Sequence, residues 1–342
     1  MSQVTIVDIA RICGVGVTTV SRAINNHPDI SPETKEMILK AIKEHHYVPN
    51  NSARNLKRSA SKTIAILVKG ITNPFFNRMI RMFNQEISNK RYSFHLQHVE
   101  HQQDEVEVAV ELIKEKRLKG IVFLGGRFSR SKEKLAQLNV PFVLSTIGIT
   151  DDFERDICSF VTVDDSLESF KLVDYLCGLG HRDIAIITSP GDRSIGDLRL
   201  EGYKRALEKH RLPFREELVR PMKNDIEQYS MANGYAVTKE LLESGCKFTA
   251  VYAISDVLAI GACKALLDAG KKVPEDCSVA GFDGLDLTYY YNPPITTVRQ
   301  PVDEIAKETI RILFQMIDKK VAYDHRIFPA ELIVRESTKA LL

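Results

Sequence analysis

Apolar runs in this chain are short. None exceeds about five residues, as in Ile64–Val68, against the roughly twenty that a membrane-spanning helix requires, so a membrane protein is excluded. The opening Met1-Ser2-Gln3-Val4-Thr5-Ile6 reaches Asp8 before any apolar stretch forms, and no secretory leader is expected. The six cysteines (Cys13, Cys158, Cys177, Cys246, Cys263 and Cys277) include no Cys-x-x-Cys pair. That excludes a disulfide scaffold or zinc ribbon and predicts buried thiols in a reducing cytoplasm. No G-x-S-x-G or H-E-x-x-H occurs, and Gly125-Gly126 is followed by neither G-x-x-G nor G-K-[ST], so catalysis and nucleotide-phosphate binding have no constellation to rest on.

What is present is an ordinary globular composition, 44% apolar and 27% charged over 342 residues, enough at about 150 residues per domain for two domains or slightly more. The net charge of +2 hides an asymmetry. Up to residue 62 nine bases meet five acids, a net +4, which leaves −2 for the remainder; residues 50–62 carry four bases and no acid. A basic head on a neutral body points to a polyanion partner for the head.

The periodicity of residues 5–47 predicts three helices. Thr5 caps the first, with Asp8 in the capping-box position, and Ile6, Ile9, Ala10 and Cys13 share one face. Gly14 ends it as a left-handed residue. After Gly14-Val15-Gly16, a second helix over Val17–Ile24 buries Val20, Ala23 and Ile24. Ser31 caps the third, Pro32 opens it, and Met37, Ile38, Ala41 and Ile42 face inward. Two short helices joined by a glycine turn, with a third in support, make a helix-turn-helix. Its second helix exposes Val17, Thr18, Ser21 and Arg22, a set suited to base edges and phosphates in a major groove.

Beyond Lys62, strand-like runs alternate with helix-length segments: Thr63–Val68, Tyr92–Leu96 and Gly120–Leu124, then a second series from Val161–Val163 through Ile184–Thr188, Ala250–Ala253 and Ser278–Gly281. Repeated β-α units predict an α/β fold with two doubly wound parallel-sheet subdomains. Ligands in such folds bind beyond the carboxyl ends of the strands. There stand Asn73-Pro74-Phe75-Phe76, Gly191-Asp192-Arg193 with Arg199 nearby, Ser255-Asp256 and Phe282-Asp283. Rings for apolar sugar faces, with aspartate and arginine for vicinal hydroxyls, suit a hydroxylated ligand. The plainer alternative is that each aspartate only caps the helix after it. His95, His98 and His101 invite a metal, but an offset of three on a strand puts His98 on the face opposite His95. No metal or cofactor is expected.

Val4-Thr5-Ile6-Val7-Asp8-Ile9-Ala10, Gly14-Val15, Thr19-Val20-Ser21-Arg22-Ala23-Ile24-Asn25 and Tyr47-Val48-Pro49-Asn50 resemble the headpiece of the LacI/GalR transcriptional repressors. Gly180-His181-Arg182, Arg199-Leu200-Glu201-Gly202-Tyr203, Gly281-Phe282-Asp283 and Ile295-Thr296-Thr297-Val298-Arg299-Gln300-Pro301 extend the resemblance to that family's effector core, a fold of the type I periplasmic-binding-protein kind. The resemblance implies a headpiece over 1–48, a hinge over 49–61 and a core over 62–342, with an N-subdomain (62–161 and 293–322) and a C-subdomain (162–292 and 323–342). It implies that Val17 and Thr18 read bases while Thr5, Thr19, Ser21, Arg22 and Asn25 hold the DNA backbone. In the hinge, with Asn50, Ala53, Arg54 and Lys57, Leu56 takes the position of a minor-groove wedge. Phe75, Phe76, Thr146, Arg193, Arg199, Tyr229, Asp256 and Asp283 would line the cleft.

There are departures. Cys13 stands where alanine is usual and Gly16 where a capping, phosphate-touching serine is usual. Thr146 stands where several sugar-binding relatives carry aspartate, and Ile195 where a purine-binding relative carries threonine. No leucine-heptad helix follows the last strand, so a dimer is expected. The implied function is a cytoplasmic, homodimeric repressor that binds a palindromic double-stranded operator under the control of a small, sugar-like effector. The alternatives are a sugar-binding module without gene control, a regulator whose signal is a partner protein or purine-like corepressor, and an enzyme.

Overall fold

The computed structural model describes residues 4–24, 27–45, 47, 62–100, 102–126, 132–148, 157–189 and 195–341. The chain divides into two compact units, residues 1–61 and 62–342, each described by itself.

The first unit is built from helices α1 (Ile6–Ile12), α2 (Val17–Ile24) and α3 (Pro32–Glu44). The capping box forms: the Thr5 hydroxyl accepts the Asp8 amide, and the Asp8 carboxylate accepts the Thr5 amide at 2.9 Å and its hydroxyl at 2.6 Å. These bonds from the Thr5 side chain and backbone hold the Asp8 carboxyl below its usual range. Gly14, with φ +65°, ends α1. Ile9, Ala10, Val20, Ala23 and Ile38 form the core, with Ile6, Ile24 and Ile42 packed at its margin. Met37, expected to face inward, is 43% exposed; the stripe through Ile38 and Ala41 already spans the width that α1 and α2 can cover. Ser31 caps α3, its hydroxyl accepting the Thr34 amide at 3.2 Å. Ser31→Ala is expected to cost the unit about 1 kcal/mol, read as a lower calorimetric midpoint for its unfolding in the full chain.

The second unit opens with β1 (Thr63–Lys69), α4 (Phe75–Asn89), β2 (Ser93–Val99), α5 (Glu105–Glu115), β3 (Leu118–Leu124), α6 (Lys132–Leu135), β4 (Phe142–Ser145) and β5 (Ser159–Val163). It continues with α7 (Asp165–Gly178), β6 (Ile184–Thr188), α8 (Ile195–Lys209), β7 (Val219–Pro221), α9 (Met231–Glu243), β8 (Ala250–Ala253), α10 (Asp256–Asp268), β9 (Ser278–Asp283) and α11 (Asp286–Tyr290). Last come β10 (Thr296–Arg299), α12 (Val302–Ile317), β11 (His325–Phe328) and β12 (Glu331–Ile333).

Two six-stranded sheets result, in the orders β11-β5-β4-β3-β1-β2 and β12-β10-β9-β8-β6-β7. All pairs are parallel except β10 with β12. Near-continuous burial along β1, β3, β5, β6 and β9 follows from helices covering both sheet faces. The expected α/β architecture is met, but the allocation of segments is corrected. Val161–Val163 does not start a second series: β5 pairs with β4, Val143 opposite Ser159. Residues 293–322 do not all belong with the first lobe, since β10 pairs with β9 in the second sheet. Nor do residues 323–342 all belong with the second, since β11 pairs with β5. The chain therefore crosses between the sheets three times, at 163–165, 299–302 and 328–331. An apolar run announces a strand; only its hydrogen-bonding neighbour, far off in sequence, decides the sheet.

Among the described residues no helix is long and apolar enough to cross a membrane.

Candidate functional site

Helix α2 presents its polar residues on one face because Val20 and Ala23 are drawn into the core. Val17, Thr18 and Arg22 are exposed, Thr19 and Ser21 half-buried, and Thr5 is exposed at the start of α1. Gly16 brings no side chain to cap α2; its carbonyl accepts the amides of Thr19 at 2.9 Å and Val20 at 3.1 Å as the first bonds of the helix. A helix presenting methyls, hydroxyls and a guanidinium over two turns has the dimensions and donors to enter a major groove. Asn25, Asn50, Ala53, Arg54, Leu56 and Lys57 lie outside the described residues.

In the second unit the carboxyl ends of β1, β3, β4, β6 and β9 face a cleft between the sheets, with a cavity of about 380 Å³, within the range of small-molecule sites. Phe75, Phe76, Thr146, Arg199, Tyr229 and Asp283 line it as expected. Arg193 lies outside the described residues.

At its floor is a buried charge cluster. Arg199, on the first turns of α8, is 3% exposed. Its Nε donates to Asp165 Oδ1 at 2.9 Å and its Nη1 to the Ile254 carbonyl; Nη2 pairs with the same Asp165 oxygen at 2.8 Å. The guanidinium lies 3.5 Å from the centre of the Phe282 ring. Asp283 stands 3.8 Å from Arg199 and accepts a hydrogen bond from Gln300 Nε2 at 3.0 Å through Oδ1. Its Oδ2, fully buried, has no hydrogen-bond partner among the described residues. Burial pushes the Asp283 carboxyl up to about 7 against the opposing pull of Arg199, Gln300 and Asn73. Burial likewise raises Asp165, with Arg199 pulling the other way. A buried carboxylate oxygen without a protein hydrogen-bond partner, beside a fixed guanidinium, is an arrangement that a ligand hydroxyl completes.

The apolar wall is aimed by a local cap. Asn73 Oδ1 accepts the Phe75 amide at 3.1 Å, which fixes the start of α4 and the two rings, 5.4 Å apart and inclined at 62°. Gly125 leaves room for them: with φ +67°, a Cβ there would lie 2.5 Å from Phe76 Cζ. On the same wall Lys69, 9% exposed, pairs with Glu105 at 3.2 Å and donates to the Gln103 carbonyl at 2.7 Å. Three wall residues, Thr146 (φ 51°), Tyr229 (φ 51°) and Asp283 (φ 121°), take left-handed backbone conformations without being glycine. Strain of this kind gathers at binding sites.

Asp256 is the exception among the expected residues. It is fully buried and turned away from the cleft: Oδ1 accepts the Thr297 hydroxyl at 2.6 Å and Oδ2 the Leu285 amide at 2.7 Å. It does not cap its own helix but ties down the turn that carries Asp283. Sequence reasoning also passed over Asn73, Lys69, Asp165 and Gln300 as wall residues. Asn73 and Gln300 sit inside the motifs already quoted, and Lys69 is a lone cation ending an apolar strand. Asp165 gives no sign beyond an acid at a helix start.

Strand β2 extends through Val99, so His95 and His98 project to opposite faces; His101 lies outside the described residues. Among the described residues no three His, Cys, Asp or Glu side chains are grouped to hold a metal ion.

Two family models match the chain: bacterial regulatory proteins of the lacI family over residues 5–50, and a periplasmic binding protein-like domain over residues 173–338. The HTH-type transcriptional regulator MalR of Clostridium butyricum is 39% identical over 332 residues, 96% of this chain and 98% of that protein. The HTH-type transcriptional repressor CytR of Escherichia coli K12 is 33% identical over 338 residues, 98% of this chain and 97% of that one. The solved complex of the transcriptional regulator CelR with cellobiose superposes with a TM-score of 0.71 at 29% identity, covering 98% of this chain and 100% of that one. With matches of this extent at both ends of the chain, the headpiece and the cleft-bearing core are one inheritance, and the chain belongs to the LacI family of bacterial regulatory proteins.

Proposed function

We propose that this chain is an effector-controlled transcriptional repressor working in the cytoplasm. Two copies would place their α2 helices in adjacent major-groove half-sites of a palindromic operator, with residues 49–61 at its centre. A neutral sugar or short oligosaccharide in the cleft would set the operator affinity, by reciprocal coupling. Val17 and Thr18 are the base readers, with Thr5, Thr19, Ser21, Arg22, Asn25, Asn50, Ala53, Arg54 and Lys57 supporting them and Leu56 as the wedge. Phe75, Phe76, Thr146, Arg193, Arg199, Tyr229 and Asp283 contact the effector, and Asp256 supports Asp283.

The observation that carries the effector reading is the unpartnered Asp283 Oδ2 beside Arg199, facing the Phe75–Phe76 wall. CelR, 29% identical, was solved with cellobiose. For the dimer, the support is α11, where Leu287 is 44%, Tyr289 61% and Tyr290 80% exposed. Aromatic residues clustered on a surface are characteristic of interface cores. Tyr290→Glu is expected to yield a monomer in sedimentation and to weaken operator binding; a variant that remains dimeric removes α11 from the interface.

The deciding experiment is thermal unfolding of the full chain against sugars, sugar phosphates, nucleosides and purines, followed by gel shifts with and without the hit. A ligand at 100 times its Kd adds about 2.7 kcal/mol of stability. A sugar that raises the midpoint and changes affinity for one palindrome, with binding weakened by Val17→Ala, supports the reading. Sequence-indifferent, salt-sensitive binding overturns the repressor, and a purine or no response overturns the sugar.

A further inference from the structure

The loop between β7 and α9 gives the cleft six consecutive wall residues, Asn224 to Tyr229. It follows a three-residue edge strand, and its entry is tied to the neighbouring strand by one main-chain bond, Met222 N–H to the Thr188 carbonyl at 2.7 Å. Yet it holds Tyr229 in a left-handed conformation, φ 51°, which persists only where surrounding groups over-determine it.

The loop that leads to Tyr229 is braced from the first turn of α9. Asn233 is fully buried. Its Oδ1 accepts the Lys223 amide at 2.9 Å, and its Nδ2 faces the carbonyls of Lys223 at 2.9 Å, Ile226 at 3.2 Å and Glu227 at 3.3 Å. One amide thus serves four main-chain groups of the loop, its two hydrogens shared among three acceptors. The Asn233 backbone is itself fixed, its N–H donating to Ser230 Oγ at 3.1 Å, and Ser230 Oγ–H donating to the Glu227 carbonyl at 2.6 Å. The Tyr229 amide donates to Met222 Sδ at 3.2 Å, which closes the loop on its own base. A side chain without donors at 233 would leave these part-buried main-chain groups to find water, which loosens the loop.

We propose that Asn233 is a positioning residue for effector binding: its buried amide makes residues 223–229 a preformed wall and delivers Tyr229 to the pole formed by Arg199 and Asp283. The inference rests on the effector reading of the cleft, but the clamp itself is testable without a ligand. In Asn233→Asp the size and the acceptor for Lys223 remain while an oxygen replaces the donor opposite three carbonyls; Asn233→Ala removes both.

Amide hydrogen exchange of the ligand-free full chain is expected to quicken by about tenfold or more across 223–229 in both variants, with β6 and β8 unchanged. Affinity for the sugar selected by the thermal panel is expected to fall about tenfold, while ligand-free operator affinity stays within about twofold. Unchanged loop exchange in a folded Asn233→Asp chain overturns the clamp. Faster exchange with unchanged sugar affinity overturns the positioning role. Global unfolding of both variants overturns it as well, because the amide would then serve the whole fold. If the wild-type chain binds no sugar in the panel, the functional reading fails and exchange alone decides the clamp.

Discussion

Arg199→Leu is expected to abolish effector binding and to destabilise the second unit by about 3–5 kcal/mol, the penalty for removing one partner of a buried ion pair. The size of the effect follows from what is left behind. Asp165 and Asp283 are 3% and 4% exposed and both lean on this guanidinium. The Ile254 carbonyl loses its donor, and the Phe282 ring loses its cation. Arg199→Lys keeps the charge but not the planar fork that reaches two carboxylates and a carbonyl together, and is expected to recover only part of the loss. The deficit of the leucine variant should also shrink on acidification, as the stranded carboxyls take up protons instead of remaining charged. Calorimetry of both variants at pH 5 and pH 8 checks this; a leucine variant as stable as wild type at pH 8 contradicts the proposed part played by Arg199.

Effector affinity should rise with pH below neutrality and level off above it, and Asp283→Asn should remove the dependence. Asp283 titrates at about 7, and a ligand hydroxyl donates best to the ionised carboxylate. Affinity is thus expected to improve about tenfold per pH unit below that value. The asparagine variant, lacking the charge, is expected to bind about a hundredfold more weakly at pH 8, because charge-assisted bonds are the strong ones.

Stability moves the other way. The folded carboxyl keeps its proton up to about 7, whereas its ordinary value is 3.8. The contribution is therefore complete below 3.8 and is lost as pH rises through about 7. Asp256, raised by burial and then by Asp283, contributes in the same direction; at Asp283 itself Arg199 opposes the rise and Asp165 reinforces it. Titration calorimetry across pH 5.5–8.5 and thermal unfolding across pH 4–8 separate the two slopes. A wild-type affinity that is flat with pH would show that the ligand does not use this carboxylate.

The headpiece was legible in the sequence because its determinants are local. Thr5 with Asp8, Ser31 with Pro32, and Gly14 each act within four residues of where they stand, and the structure places all of them as the spacing predicts. The cleft was legible where a strand end and its ligand-facing residue coincide, as at Phe75 and Asp283. It was not legible at Asp256, which looks the same in sequence as Asp283: an acid just past a buried strand. What separates them is Thr297, 41 residues away from Asp256 and within 2.6 Å of it. Sheet membership failed for the same reason, since the burial patterns of β5 and β6 are alike and only their neighbours differ. Asn233 lay equally out of reach, because a buried amide that mimics a turn leaves no periodicity to find.

The late strands bear on how the molecule is made. Sheet one is finished by His325–Phe328 and sheet two by Glu331–Ile333, so neither lobe can close before its own late strand has left the ribosome. A stop codon at position 325 would give no half-working product with one sound lobe. It would release two raw sheet borders at once, β5 and β10, each a template for foreign strands. Such nonsense alleles are expected to yield insoluble material, and any surviving phenotype would report loss of the whole switch.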